Sequence, residues 1–152
     1  MVFIEDIIFF VFLEYVCGIL SSLIRNCKGN QKQRLLSKFV ENDFEKVDRL
    51  IELHLKYLEK VELLDRQIDA QKNSRNNEDS DDEEDEDEAN YLKKLSGGLF
   101  TLQLIDFIIL EISVSSTSSD AIKQRVLQIL NLRGASTKTI KQIMRGKVTF
   151  EI

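Results

Sequence analysis

Proline and tryptophan are absent from the 152 residues, glycine occurs six times, cysteine twice and histidine once. Without proline and with so little glycine, collagen-like, proline-rich and turn-dense all-β classes are excluded. Two cysteines make no disulfide framework, and nothing else marks an oxidising compartment, so an intracellular, reducing location is expected. A long uncharged run is missing as well. Glu5 and Asp6 stand where a secretory signal would be basic. Glu14 limits the uncharged stretch before it to seven residues, where a membrane span needs about 20. Neither a signal peptide nor a membrane partner is expected.

What remains is rich in Leu, Ile, Lys, Glu and Gln, which favours helices. The net charge of −5 hides an asymmetry: ten of the eleven residues from Glu78 to Glu88 are acidic, and without them the chain carries +5. A mildly basic helical body is interrupted by a polyanionic strip.

Hydrophobic spacing orders the body. Residues 1–24 are apolar on every side, which predicts a helix buried between other helices, at the edge of a larger helical assembly. A break at Asn26–Asn30 precedes a short helix from Gln31 to about Val40. Asn42 with Glu45 reads as a capping box opening the longest periodic segment, Asp43 to about Gln71. There Val47, Leu50, Ile51, His54, Leu58, Val61 and Ile68 share one face. Ala89 to about Ser113 reads as a core helix, with Gly97 and Gly98 bending it or admitting a neighbour. A hydroxyl-rich loop then leads to a helix capped by Ser119 or Asp120 and ended by Arg133-Gly134, and Ser136 caps a last amphipathic piece. The expected organisation is a helical unit over 1–72, a disordered or loosely helical acidic linker over 73–88, a helical cap over 89–145 and a tail over 146–152.

The chemistry-bearing residues are few. No phosphate loop, GxGxxG, HExxH or nucleophile elbow occurs. His54 falls within an apolar stripe and reads as a hydrogen-bonded core side chain rather than a catalyst. Cys17 and Cys27 read as free thiols, and with one histidine they fall short of the four donors of a structural zinc site. No catalytic residue, metal or cofactor is expected. The acidic run Glu78, Asp79, Asp81, Asp82, Glu83, Glu84, Asp85, Glu86, Asp87 and Glu88 is the candidate binding site, either as a solvated spacer or as a lure for basic partner segments such as nuclear-localisation peptides or histone tails. Ser80, followed by Asp81, Asp82 and Glu83, is a candidate for an acidophilic kinase. The remaining Lys and Arg are too dispersed for a nucleic-acid interface, and none is expected.

Several stretches carry a resemblance: residues 17–26 (CGILSSLIRN), 41–54 (ENDFEKVDRLIELH), 98–103 (GLFTLQ) and 124–134 (QRVLQILNLRG). Over about residues 14–145 the chain resembles the C-terminal part of the beta-catenin-like family, nuclear armadillo-repeat proteins associated with the spliceosome. Residues 1–13 and 146–152 fall outside it. The resemblance implies an all-α, armadillo/HEAT-like helical solenoid end with an acidic insertion, acting in the nucleus as a scaffold and not as an enzyme. Implied partners are spliceosomal proteins and basic localisation-signal segments. An exposed apolar first helix would add self-association.

Overall fold

The computed structural model describes residues 4–75, 83–115 and 117–150. Among these residues seven helices follow one another: α1 (Ile4–Asn26), α2 (Gly29–Ser37), α3 (Glu41–Arg75), α4 (Glu83–Lys94), α5 (Phe100–Ser115), α6 (Ser119–Leu132) and α7 (Thr137–Phe150). A single 3₁₀ turn, Lys38–Val40, joins α2 to α3, and a π-helical turn, Leu95–Leu99, joins α4 to α5. No strand occurs among the described residues. The fold is all-α, as the spacing and the lack of proline predict.

α5 is the axis of the core. It touches α1, α3, α6 and α7. Leu102, Ile105, Ile108, Ile109 and Ile112 are buried on it, and so are Thr101, Gln103, Asp106 and Ser113. A helix packed on several sides has no solvent face to fill with charge, which explains its near-continuous apolar sequence. The helical run Glu84–Ser115 is also the one among the described residues long and apolar enough to cross a membrane, but 56% of its most apolar window is buried inside the protein. More than half of that window already has protein neighbours.

α3 buries Val47, Leu50, Ile51, Leu53, His54, Tyr57, Val61 and Ile68, and it packs against both α5 and α6. Leu58, expected on that stripe, is half-buried. On α6 the buried positions Ile122, Val126 and Leu130 recur every fourth residue. That is the narrow stripe of a helix packed on one side only.

Gly97 and Gly98 do both things expected of them. Gly98 has φ +131°, outside helical space, so the chain turns there within the π-helical segment. A Cβ on Gly97 would lie 2.5 Å from Leu64 Cδ2, so the missing side chain lets α3 come close. Gly134 (φ +67°) ends α6, with the Ala135 amide donating to the Leu130 carbonyl at 2.8 Å.

Five expectations need correction. α1 is not buried between helices. Leu13, Cys17, Leu20 and Ile24 turn inward, while Ile8, Phe12, Tyr15, Ile19 and Leu23 form an opposite stripe that is 42–71% exposed. The helix is apolar all round, as its sequence reads, but only its inward face has a neighbour, chiefly α5. Asn42 is not an extended N-cap. It opens a run of left-handed residues, Asn42, Asp43 and Phe44 (φ 54°, 55° and 61°), and regular helix resumes at Glu45. Asn and Asp tolerate that conformation through short polar side chains, whereas each residue there costs about 1–2 kcal/mol relative to right-handed helix. The position before α6 is Ser118, not Ser119 or Asp120. Of the acidic linker expected over 73–88, residues 73–75 close α3 and 83–88 open α4; residues 76–82 lie outside the described residues. Helix persists among these carboxylates because cations reach them: Lys72 pairs with Asp87, and Arg75 lies 3.7 Å from Glu86. Finally, α7 continues through Phe150 where a tail from 146 was expected. A helical glycine at 146 costs only about 1 kcal/mol against alanine and need not end a helix.

Candidate functional site

Of the predicted acidic site, Glu78, Asp79, Asp81, Asp82 and the candidate phosphorylation site Ser80 lie outside the described residues. Glu83 to Glu88 form the first half of α4, where Glu84, Asp85, Asp87 and Glu88 are exposed. Two carboxylates of the run pair with α3, Asp87 with Lys72 and Glu86 with Arg75, and farther along α4 Lys94 Nζ lies 2.6 Å from Asp65 Oδ1 of α3. Half of the polyanionic strip is therefore displayed on a helix that is pinned along its length to α3. Carboxylates at the start of a helix also gain from the partial positive charge there, by a few tenths of a kcal/mol when exposed.

The left-handed turn creates a second acidic surface that residue spacing did not reveal. Asn42, Asp43, Glu45, Asp48, Glu52 and Arg125 border a polar cleft of about 560 Å³. Arg125 of α6 grips Asp48 with two parallel hydrogen bonds, Nε at 2.9 Å and Nη2 at 2.7 Å. That forked geometry raises the Arg125 pKa and ties α6 to the first regular turn of α3. Arg49 donates to Glu52 at 2.8 Å. Asp43 and Glu45 keep the cleft's balance acidic.

The outward stripe of α1 faces a third feature, a cleft of about 760 Å³ bordered by Val11, Glu14, Tyr15, Gly18, Ile19 and Phe100. It is almost wholly apolar, with Glu14 its only ionisable carboxylate. Burial, and secondarily Glu14, pushes the Cys17 thiol up to about 11, and burial with the same carboxylate pushes Tyr57 up to about 12. Cys17 is thus a buried, protonated thiol, as expected; Cys27 is free and half-buried.

His54 is a packed core side chain, as its place in the stripe predicts. Its partner was invisible in the sequence. Nδ1 lies 2.5 Å from Oδ1 of Asp106, 52 residues away on α5, and both side chains are inaccessible to solvent. Burial drives the Asp106 carboxyl upward, and the imidazole opposes this. His54 Nε2 and Asp106 Oδ2 find no hydrogen-bonding partner among the described residues. At 1% and 0% exposure no solute reaches this pair. No group of three or more His, Cys, Asp or Glu is placed to hold a metal among the described residues.

A helical stack that offers clefts and charged faces, with the His54–Asp106 pair sealed inside, is an architecture suited to surface recognition. Comparison with known proteins then assigns the lineage. Residues 10–145 match the family described as "Catenin-beta-like, Arm-motif containing nuclear", and the chain belongs to that family. It is 46% identical over 132 residues to Beta-catenin-like protein 1 of Bos taurus and of Homo sapiens, covering 87% of this chain and 23% of theirs. It is 32% identical over 113 residues to the Beta-catenin-like protein 1 homolog of Schizosaccharomyces pombe, covering 69% of this chain and 18% of that one. The chain thus spans about a quarter or less of the curated relatives it matches.

Proposed function

We propose that the chain is a non-enzymatic protein–protein scaffold or adaptor associated with the spliceosome in pre-mRNA splicing, acting in the nucleus. The observation that carries this reading is the 46% identity to Beta-catenin-like protein 1 over 87% of the chain. The family's description as nuclear supports the compartment. The spliceosome association itself is what the resemblance to the family implies. Affinity purification of the tagged chain from nuclear extract, with mass spectrometric identification, tests it. Enrichment of spliceosomal proteins over an unrelated helical bait is expected, and their absence overturns the assignment while leaving the fold untouched.

A second reading is favoured by one observation, the exposed carboxylates of Glu84, Asp85, Asp87 and Glu88 on α4. On that reading the acidic run binds basic peptides, nuclear-localisation or histone-like segments, with no splicing role. Deletion of residues 79–88 separates the two. If partner binding disappears while helicity persists, the acidic strip carries recognition; if binding survives, the helical faces do. Self-association through the outward stripe of α1 belongs to the first reading, since Ile8, Phe12, Tyr15, Ile19 and Leu23 recur at three- and four-residue spacing.

A further inference from the structure

The C-terminal helices reverse the charge sign of the rest of the surface. From Ser119 to Arg145 there are six Lys or Arg and a single acid, Asp120. One of the six, Arg125, is engaged by Asp48. Two others, Lys123 on α6 and Lys141 on α7, form no ion pair with any described residue and are exposed. Both border the same groove. This groove, about 380 Å³, runs where α5, α6 and α7 meet. Its walls are Ile109, Val114, Val126, Leu127 and Ile140, with the lysines at its rim. Among the described residues its other polar groups are Ser113, whose hydroxyl already donates to the Ile109 carbonyl at 2.6 Å, and Thr137.

Floor and rim ask for different things. The apolar walls take an aliphatic or aromatic side chain. The volume lies in the lower range of pockets that hold small ligands, about 300–1,000 Å³. The two ammonium groups take carboxylates. Leu127 is 47% exposed and Val114 70%, so the walls rise to the surface and an incoming helix can reach them without opening the core. Nucleic acid is the less suitable occupant, because among the described residues no aromatic side chain lines the groove for base stacking and its floor offers nothing to a phosphate.

We propose that this groove is a docking site for an acidic amphipathic segment of a partner protein. One or two large apolar side chains of that segment fill the space between Val126, Leu127 and Ile140, and its carboxylates sit over Lys123 and Lys141. The site lies apart from α4 and has the opposite polarity, so it stands or falls independently of the acidic-strip reading.

The test is fluorescence anisotropy of the full chain with labelled synthetic peptides about three helical turns long. The first peptide carries Leu at three- and four-residue spacing and Glu elsewhere. A second has every Leu replaced by Ser at equal charge, and a third has Glu replaced by Lys. Saturable binding of the first peptide alone is expected. Leu127→Asn and the double change Lys123→Glu with Lys141→Glu should each weaken it by at least about tenfold. Lys93→Glu, on α4, should leave it unchanged. Circular dichroism on each variant establishes that helix content is retained, and Val114→Ser, at a position already 70% exposed, provides a second probe of the wall. Equal binding of the Ser peptide would reduce the site to non-specific charge. Preference for a single-stranded RNA oligonucleotide, or indifference to Leu127, Val114 and the lysines alike, would overturn the proposal.

Discussion

His54 and Asp106, one on α3 and one on α5, meet at 2.5 Å inside the protein, and each presents its remaining polar atom to apolar surroundings. Breaking a buried polar pair strands the survivor, whereas replacing both members by apolar groups can cost little. His54→Ala, which leaves Asp106 buried alone, is therefore expected to lower unfolding free energy by about 3 kcal/mol. The double change His54→Leu with Asp106→Leu should lose less than either single change. Urea denaturation of the four proteins measures the coupling, and simple additivity would contradict it.

The same pair sets a pH dependence. The folded Asp106 holds its proton above the ordinary value of 3.8, because burial outweighs its hydrogen bond to His54. Below about 4 both folded and unfolded forms are protonated there, and the contribution is fully present. As pH rises further the unfolded chain releases its proton first, so stability is lost until the folded carboxyl titrates. The stability difference between the native chain and Asp106→Asn should accordingly shift against the native chain on going from pH 4 upward. A difference independent of pH would show that Asp106 titrates alike in both states.

Glycine substitutions should separate by conformation. Gly98 holds φ +131° beside Tyr57 and Lys60, so Gly98→Ala is expected to cost about 1–3 kcal/mol. Gly18 is helical with open space around its Cα, so Gly18→Ala should raise stability by about 0.5–1 kcal/mol. Thermal denaturation followed at 222 nm (the far-ultraviolet helix band) reads both, and an equal effect of the two changes would contradict the conformational argument.

The thiols should react in sequence. At pH 8 an aromatic disulfide reagent is expected to modify half-buried Cys27 in the folded protein. Cys17, buried and pushed up to about 11, should react only on unfolding. Counting released thiolate with and without denaturant checks this, and two equivalents released at once from folded protein would contradict the placement of Cys17.

Association should follow the outward stripe of α1. Phe12→Glu with Ile19→Glu introduces charge at positions that are 62% and 59% exposed. Helix content is expected to be kept, while sedimentation velocity shifts toward monomer. A native chain that is already monomeric at high concentration would remove this interface.

Much of the architecture was legible because it rests on local periodicity. The stripes of α3 and α6, the core character of α5 and the two glycines at its entrance all follow from residues three or four positions apart. The failures share the opposite property. Composition shows that α1 is apolar on every side but cannot show that its neighbour is chiefly α5, on one face. The capping signal at Asn42 and Glu45 was overridden by a left-handed turn set by how the preceding 3₁₀ turn meets α3. The acidic run was judged by its own repulsion, when Lys72 and Arg75 on another helix were waiting to offset it. The pairings of His54 with Asp106 and of Asp48 with Arg125 span 52 and 77 residues. No window along one chain contains both partners.

Those separations bear on how the polypeptide is made. The apolar stripe of α3 leaves the ribosome well before α5 has been translated. At about 5–20 residues per second, His54 waits roughly 3–10 s for Asp106 and longer for the helix that clasps Asp48. Throughout that interval the apolar stripe of α3 stays uncovered by α5, so chaperone engagement of this stripe should fall once residue 112 has emerged.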